Sequence, residues 1–411
     1  MQDNRSFYFV ILQRHTNTVT MTGNAYQTHR DTGFKMHTSQ QHSFRTNRQS
    51  LRLTVARNRL ARSLMLLRVA MSSLFLTWMM TTLGGQIAYA DTGPKNTIEN
   101  VLLFQRSSGG WPKNYDRRQP MTDELRQRVS AQRPAGDATF DNSATHEELR
   151  ILARSIPTTD DDQLVPAFLR GLDFTLDAQY ENGGWPQRPG ETRDYGRHIT
   201  FNDDAMIGVL SLLTDIAQRK SDFKFVDESR RLRCERAVKL GIQCILRCQI
   251  TVGDKKKAWC AQHDEVTFAP RRARTYELPS VSGYESVGII RYLMTIKDPD
   301  PEVIDAITTA VEWFESAKLE GIRLKRIENP GLPGGRDRVV VLDESAPPVW
   351  ARFYDLETDQ PIFCSRDGVP RKNLAEISHE RRNGYSWLGN YAGRLLTTEY
   401  PAWRKFLSQP E

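Results

Sequence analysis

The chain twice spells Gly-Gly-Trp-Pro, in QRSSGGWPKNYD (residues 105–116) and in YENGGWPQRPG (180–190). Each copy is followed by a related phrase, TFDNSAT (139–145) and TFNDDAM (200–206). Glycine permits positive φ in a turn and Pro fixes the exit from it. Asp or Asn at the head of an apolar-periodic segment is a natural helix cap. Helical spacing flanks these phrases: Leu164, Phe168, Leu172 and Leu176 before the second turn, Met206, Val209, Leu210, Leu213 and Ile216 after it. Pro166 is tolerated in the first turn of its helix. Val238, Ile242 and Ile245, then Val303, Ile307, Val311 and Phe314, mark two further helices. Only 330–365, with RVVVLD and VWARFYDL, reads as short strands. Each unit is a helix ending near Gln, a glycine–tryptophan turn, a polar loop and a second helix. Repeated helix hairpins of this kind predict a mainly α fold, an α/α toroid (an incomplete α/α barrel) with a few short strands in the C-terminal part.

The net charge of +7 suggests an acidic partner until it is located. Residues 1–90 hold 11 Lys and Arg against 2 Asp and Glu, leaving 46 against 48 in the remainder. A nearly neutral body carries no nucleic-acid footprint. Residues 65–90, MLLRVAMSSLFLTWMMTTLGGQIAYA, place an apolar stretch, Val69 to Leu83, behind Arg62 and Arg68 and end it at Ala88-Tyr89-Ala90. This pattern predicts a signal peptide cleaved after Ala90 and a secreted protein, periplasmic or extracellular. Interruption by Ser, Thr and Gly argues against a stable membrane anchor. Residues 1–64 read as an N-terminal extension, with Met65 an alternative start, and 91–411 as one catalytic domain, expected to act as a monomer. Five cysteines lie in that domain, and Cys244 and Cys248, four apart on a helix, read as buried core thiols in preference to metal ligands.

One cap per helix is enough, yet FDN and FNDD each supply two or three carboxylate or amide groups. Such hard oxygen ligands are what Ca²⁺ prefers. If the two repeats face each other, Asp141, Asn142, Asp203 and Asp204 converge at one end of the toroid; capping and ligand duty both remain open at this stage. The loop WCAQHDEVTFAPRRARTYELPSVSGYES (259–286) adds His263, Asp264, Arg271, Arg272, Arg274 and Tyr276, and the segment 361–389 adds Arg366 and Asp367. Basic residues beside a carboxylate-rich loop suit an anionic substrate held partly through a cation.

Taken together and in order, TFDNSATHEELRILA, GGWPQRPG, ITFNDDAMIGVL, the 259–286 loop, FYDLETDQPIFCSRDG and RRNGYSWLG resemble polysaccharide lyase family 10, the pectate lyases, over roughly residues 95–400. The resemblance implies an α/α toroid and Ca²⁺-assisted cleavage of polygalacturonate (pectate) by β-elimination. It matches Arg274 to the family's proposed catalytic base and Arg366 to a second active-centre arginine. Asp141 and Asn142 match the site around the scissile sugar, and Asp203 the Ca²⁺ ligand, with Asn142 beside it. Arg197, His263, Tyr276 and Trp185 are the expected substrate contacts. The tracts 253–257 (GDKKK) and 327–337 (IENPGLPGGRD) match no family motif.

Elimination suits these residues. Removing the C5 proton of a galacturonate builds negative charge onto a carboxylate that already bears one, and a divalent cation with a nearby guanidinium offsets it. Arginine is an awkward base, since its pKa lies above about 12; neighbouring Arg271, Arg272 and Arg366 are expected to disfavour the protonated form of Arg274. His263 competes on unperturbed pKa. An inverting hydrolase would need an acid and a base carboxylate, for which Asp141 and Asp264 are the candidates, and a pectin-binding protein without turnover is the non-enzymatic alternative.

Overall fold

The computed structural model describes residues 94–408; the expected extension 1–64 and leader 65–90 lie outside the described residues. Eight α-helices form the body: α1 (Pro94–Phe104), α2 (Asp123–Ala131), α3 (His146–Ser155), α4 (Leu164–Asp177), α5 (Ala205–Ala217), α6 (Glu228–Cys248), α7 (Glu285–Leu293) and α8 (Pro301–Ser316). Helices α3, α5 and α7 pack side by side as a central row, and α1, α4, α6 and α8 flank them. Composition explains the division. Helix α5 buries Ala205, Met206, Ile207, Val209, Leu210, Leu212, Leu213 and Ile216, nearly its whole circumference, as a helix enclosed by others must. Helix α6 buries one stripe, Cys234, Ala237, Gly241, Cys244, Ile245 and Cys248, and leaves its charged face to water. This is the α/α toroid expected, and among the described residues no helix is long and apolar enough to cross a membrane.

The repeat behind this order is sharper in three dimensions than in the sequence. Gln105, just past α1, donates from Nε2 to Gly109 O and to Ala167 O on α4. Gln179, just past α4, donates to Gly183 O and to Ala237 O on α6. Gln249, just past α6, donates to Lys257 O and to Ala306 O on α8. The same amide thus ties each flanking helix to its own turn and to the next flanking helix. A tryptophan follows each time. Trp111, Trp185 and Trp259 are fully buried, and their indole N–H groups donate to Val101 O, Thr175 O and Ile245 O. Trp350, donating to Phe314 O on α8, is a fourth. Trp185 was expected to contact substrate; its complete burial makes it a core residue, because its polar tip is satisfied by the preceding helix.

Gly109 and Gly183 have φ of 102° and 91°. A Cβ on either would lie 2.4 Å from Arg170 O or 2.1 Å from Leu240 O, the backbone of the next flanking helix. Only glycine fits both the conformation and the approach.

Each long loop then bonds to the next. Phe140 N donates to Gln187 O, Phe201 N to Ala261 O, and Gly283 N to Arg352 O. Short antiparallel pairs reinforce this: Ile199–Thr200 with Gln262–His263, and Val281–Ser282 with Phe353–Tyr354. The loops that open the central helices are therefore laced together at one end of the helix stack. The strands expected within 330–365 are present, but the tract 327–337 is not a bare loop. It is the tip of a hairpin, β1 (Ile322–Glu328) with β2 (Arg336–Leu342). Two final helices, α9 (His379–Gly384) and α10 (Tyr400–Leu407), follow. All five cysteines are buried free thiols, as expected of core residues.

Candidate active site

The two Asp/Asn phrases form matching one-turn helices, Asp141–Ser143 and Asn202–Asp204, and they touch each other. Their backbones match position by position: Asn142 and Asp203 have φ of 51° and 50°, Ser143 and Asp204 of 63° and 56°. Left-handed backbone outside glycine is tolerated best by Asn and Asp and marks a functional constraint. Neither α3 nor α5 takes a side-chain cap from these turns. The capping explanation for the carboxylates therefore fails.

Asp203 accepts from Asn202 Nδ2 at 2.7 Å and faces Arg352 Nη2 at 3.8 Å. Asp204 next to it has its pKa raised by lost hydration, then by Glu285 and Asp203. Glu285 is fully buried at the head of α7, ion-paired with Arg352 and accepting from Ser282 Oγ. Asp203 and Glu285 so share one buried guanidinium, and Asp204 beside them has no ion pair of its own among the described residues, a local crowding of negative charge built from hard oxygens. A divalent cation such as Ca²⁺ fits that donor set. A second group, His198, Asp264 and Glu265, brings one ligand atom from each within 4.8 Å of one another. Its oxygens are already matched: Glu265 by Arg197 and by His198 Nδ1, both at 2.8 Å, and Asp264 by Arg271 at 2.9 Å. Cationic neighbours and a nitrogen donor make this second group a poorer match to a hard cation.

Arg352 was missed in the sequence. It lies in VWARFYDL, a stretch whose apolar alternation reads as strand, and the one signal was a lone charge inside that pattern. It lies between Tyr284 and Tyr385, its Cζ 4.8 Å from each ring centre. Burial opposes its charge, but Glu285 and Asp203 outweigh that and raise its pKa.

Tyr385 leads to the second arginine. Its hydroxyl donates to Glu277 Oε1 at 2.7 Å, and Glu277 pairs with Arg274, whose Nε donates to Oε2 at 2.8 Å. Arg274, Arg366 and Arg381 all stand against the ring of Tyr276, at 5.2, 5.6 and 4.5 Å from its centre. Tyr276 is itself buried. Expected as a substrate contact, it is instead a platform that holds three guanidinium groups in place. Arg366 is also held by Glu380 at 2.9 Å and stays open to water. The structure therefore brings Asp203, Arg352, Arg274 and Arg366 into one contiguous network.

Asp141 is buried and ion-paired with Lys113 from the first glycine–tryptophan turn; Asn142 donates to Asn114 Oδ1 at 2.8 Å. Lys113 was also missed, a single lysine beside a turn already explained by its glycines. Arg197 stands apart with Glu265 and Thr192 O.

Three expectations need correction. His263 is fully buried; its Nδ1 donates to Phe268 O at 2.8 Å and its Nε2 accepts from Cys260 N at 3.0 Å. Burial depresses its pKa to about 4, so it is a neutral structural residue with no free nitrogen for substrate or for base duty. Asp264 accepts from Val266 N, Thr267 N and Arg271; these outweigh the cost of burial and hold its carboxyl at about 2. A hydrolase acid needs a raised pKa, so Asp264 does not serve as that acid. Third, Arg274 is held more firmly protonated than usual. Burial opposes its charge, but Glu277, Tyr385 and Tyr276 outweigh it; of Arg271, Arg272 and Arg366, expected to lower it, the first and last are paired with Asp264 and Glu380, and Arg272 donates to Thr275 O.

The family model for pectic acid lyase matches residues 105–396. Two solved structures are similar at 31% identity and a TM-score of 0.64, each covering 74% of this chain: a family 10 polysaccharide lyase from Cellvibrio cellulosa (91% of that chain covered) and a point mutant of it in complex with trigalacturonic acid (92% covered). No curated protein sequence matches the chain significantly.

Proposed function

From the premise that this chain belongs to the pectic acid lyases of polysaccharide lyase family 10, we propose that it cleaves α-1,4-linked polygalacturonate by Ca²⁺-assisted β-elimination, yielding 4,5-unsaturated oligogalacturonates, and that it does so after export. The observation that carries this reading is the uncapped, left-handed Asn202–Asp204 turn, crowded with carboxylates and joined through Arg352 and Tyr385 to Arg274. Asp203 and Asp204 would hold the cation, with Asn142 on the adjoining turn. A bound Ca²⁺ supplies positive charge to the uronate carboxylate, which makes the C5 proton more acidic.

The protein's own residues do the rest. Arg352 and Arg366 offer guanidinium charge to the carboxylate as the C5–H bond breaks, and Arg352, held out of water by Glu285, needs no reorganisation. Arg274 is assigned as the group that takes the C5 proton. It can do so only in its neutral form, and Glu277 is the group that resists that form. Electrons from the C5–H bond form the C4–C5 double bond, and the C4 oxygen leaves with its pair. The test is product analysis: digestion of polygalacturonate should produce the ultraviolet absorbance of an unsaturated uronate. Saturated ends carrying oxygen from solvent would show hydrolysis instead and would overturn the assignment.

A further inference from the structure

The tip of the β1–β2 hairpin, residues 327–337, carries none of the motifs read in the sequence, yet the hairpin is anchored to the wall of the arginine network. Asp337 on β2 is gripped by Arg382 at 2.7 Å and by Asn383 at 2.8 Å, and His379 Nε2 donates to Arg336 O at 2.8 Å. Arg338 Nη1 donates to the carbonyl of Tyr385 at 2.9 Å, the residue whose ring and hydroxyl join Arg352 to Arg274 and Glu277. A rigid arm therefore starts one residue from the proposed chemistry.

Its register sorts its side chains. Arg326 is directly opposite Arg338, and Glu328 opposite Arg336. Directly opposed residues share a face, so Arg326, Arg336 and Arg338 lie on one side of the ribbon with a single carboxylate, Glu328. None of the three has an acidic partner among the described residues, whereas Arg323 on the other face pairs with Asp343 at 2.6 Å. Like charges directly opposite each other destabilise a ribbon; Arg338 is used to anchor the hairpin, but among the described residues Arg326 and Arg336 make no side-chain contact that would offset the cost. Tyr284 and Tyr391 pack ring against ring at 5.1 Å, with Tyr284 exposed; Tyr391 feels the charge of Arg338 on this face, and Tyr284 that of Asp204 on the turn. Arg352 lies against the ring of Tyr284 at 4.8 Å.

We propose that the arginine face of the β1–β2 hairpin is an outer binding site for the carboxylates of uncleaved galacturonate units, reached across the Tyr284–Tyr391 pair, so that long de-esterified chains are held in preference to short ones. The proposal rests on the polygalacturonate reading above. Aromatic rings present an apolar surface to sugar faces, and guanidinium groups are the fitting partners for a row of carboxylates.

The test measures binding and turnover separately on the full chain. In EGTA, where no turnover is expected, calorimetry with long polygalacturonate and with trigalacturonate is run on the unmodified protein and on the double variant Arg326→Gln, Arg336→Gln. Arg326→Glu serves as a second variant. Affinity for the long chain should fall about tenfold in the double variant, further in Arg326→Glu, and methyl-esterified polymer should show no such difference; affinity for trigalacturonate should stay within about twofold. Equal loss for both lengths, or no loss for the long chain, would overturn the outer site. The elimination assay on the unmodified protein reports on the polygalacturonate reading itself, because its failure with intact length-dependent binding would leave a binding protein with this same arm.

Discussion

Arg274 and Glu277 carry the sharpest consequence at the scale of single residues. If Arg274 takes the C5 proton, the rate must climb with pH as the guanidinium loses its own, and Glu277 pushes that climb upward. Replacing Glu277 by Gln removes the raising influence, so the rising limb of the pH–rate profile should move to lower pH even though kcat falls with the loss of positioning. A limb that stays in place would remove Arg274 from the role of base. Arg274→Ala should lower kcat at least about a thousandfold, since proton removal and charge stabilisation are lost together. Arg274→Lys should rescue little, because an ammonium cannot span Glu277 and the Tyr276 ring as the planar fork does. These arginines were legible because each sits in a loop rich in polar and aromatic residues. Arg352 was not, because a lone charge in a strand-like run is a weak signal until Glu285, distant in sequence, is placed against it.

At the scale of elements, the paired left-handed turns separate folding from metal dependence. Asp203 makes no helix cap, so Asp203→Ala should cost no more than about 1–2 kcal/mol, the strain of Ala in its left-handed backbone, while activity on polygalacturonate is lost. Thermal unfolding of the variant checks the first half and a rate assay the second; a variant that unfolds early would return the turn to a structural role. Gly183→Ala should do the opposite. Its Cβ would strike Leu240 O in a conformation that costs an L residue roughly 1–2 kcal/mol before any clash, so the protein should lose stability with the site chemistry unchanged. Two copies of the glycine–tryptophan unit were visible from the sequence. The third was not, because Lys257-Ala258-Trp259 keeps the glutamine and tryptophan contacts but dispenses with the glycines. The hairpin strand β1 was missed since the adjacent charges Lys325 and Arg326 break its apolar alternation after only two apolar positions.

For the molecule as a whole, buried histidines set the acid limit of stability. Burial depresses both His146 and His263 from 6.5 to about 4. Between those values the unfolded chain binds protons that the folded chain refuses. Their contribution is therefore complete above about pH 6.5 and is lost as pH falls toward 4. At about 1.4 kcal/mol per unit for each residue, the melting temperature should drop through that window, and His146→Phe, which keeps a ring against Gly208, should flatten the drop. The toroid was legible because helical periodicity is a local signal repeated several times. The lacing of loop to loop was not, since bonds such as Phe201 N to Ala261 O join residues far apart in sequence. The most direct test of the whole reading is the rate of unsaturated-uronate formation from polygalacturonate, measured after removal of divalent ions with EGTA and again after Ca²⁺ is restored. Loss of the absorbance in EGTA and its return with Ca²⁺, in the unmodified protein and not in Asp203→Ala, is the expected result; full activity in EGTA would contradict a cation-assisted elimination at the Asp203–Asp204 turn.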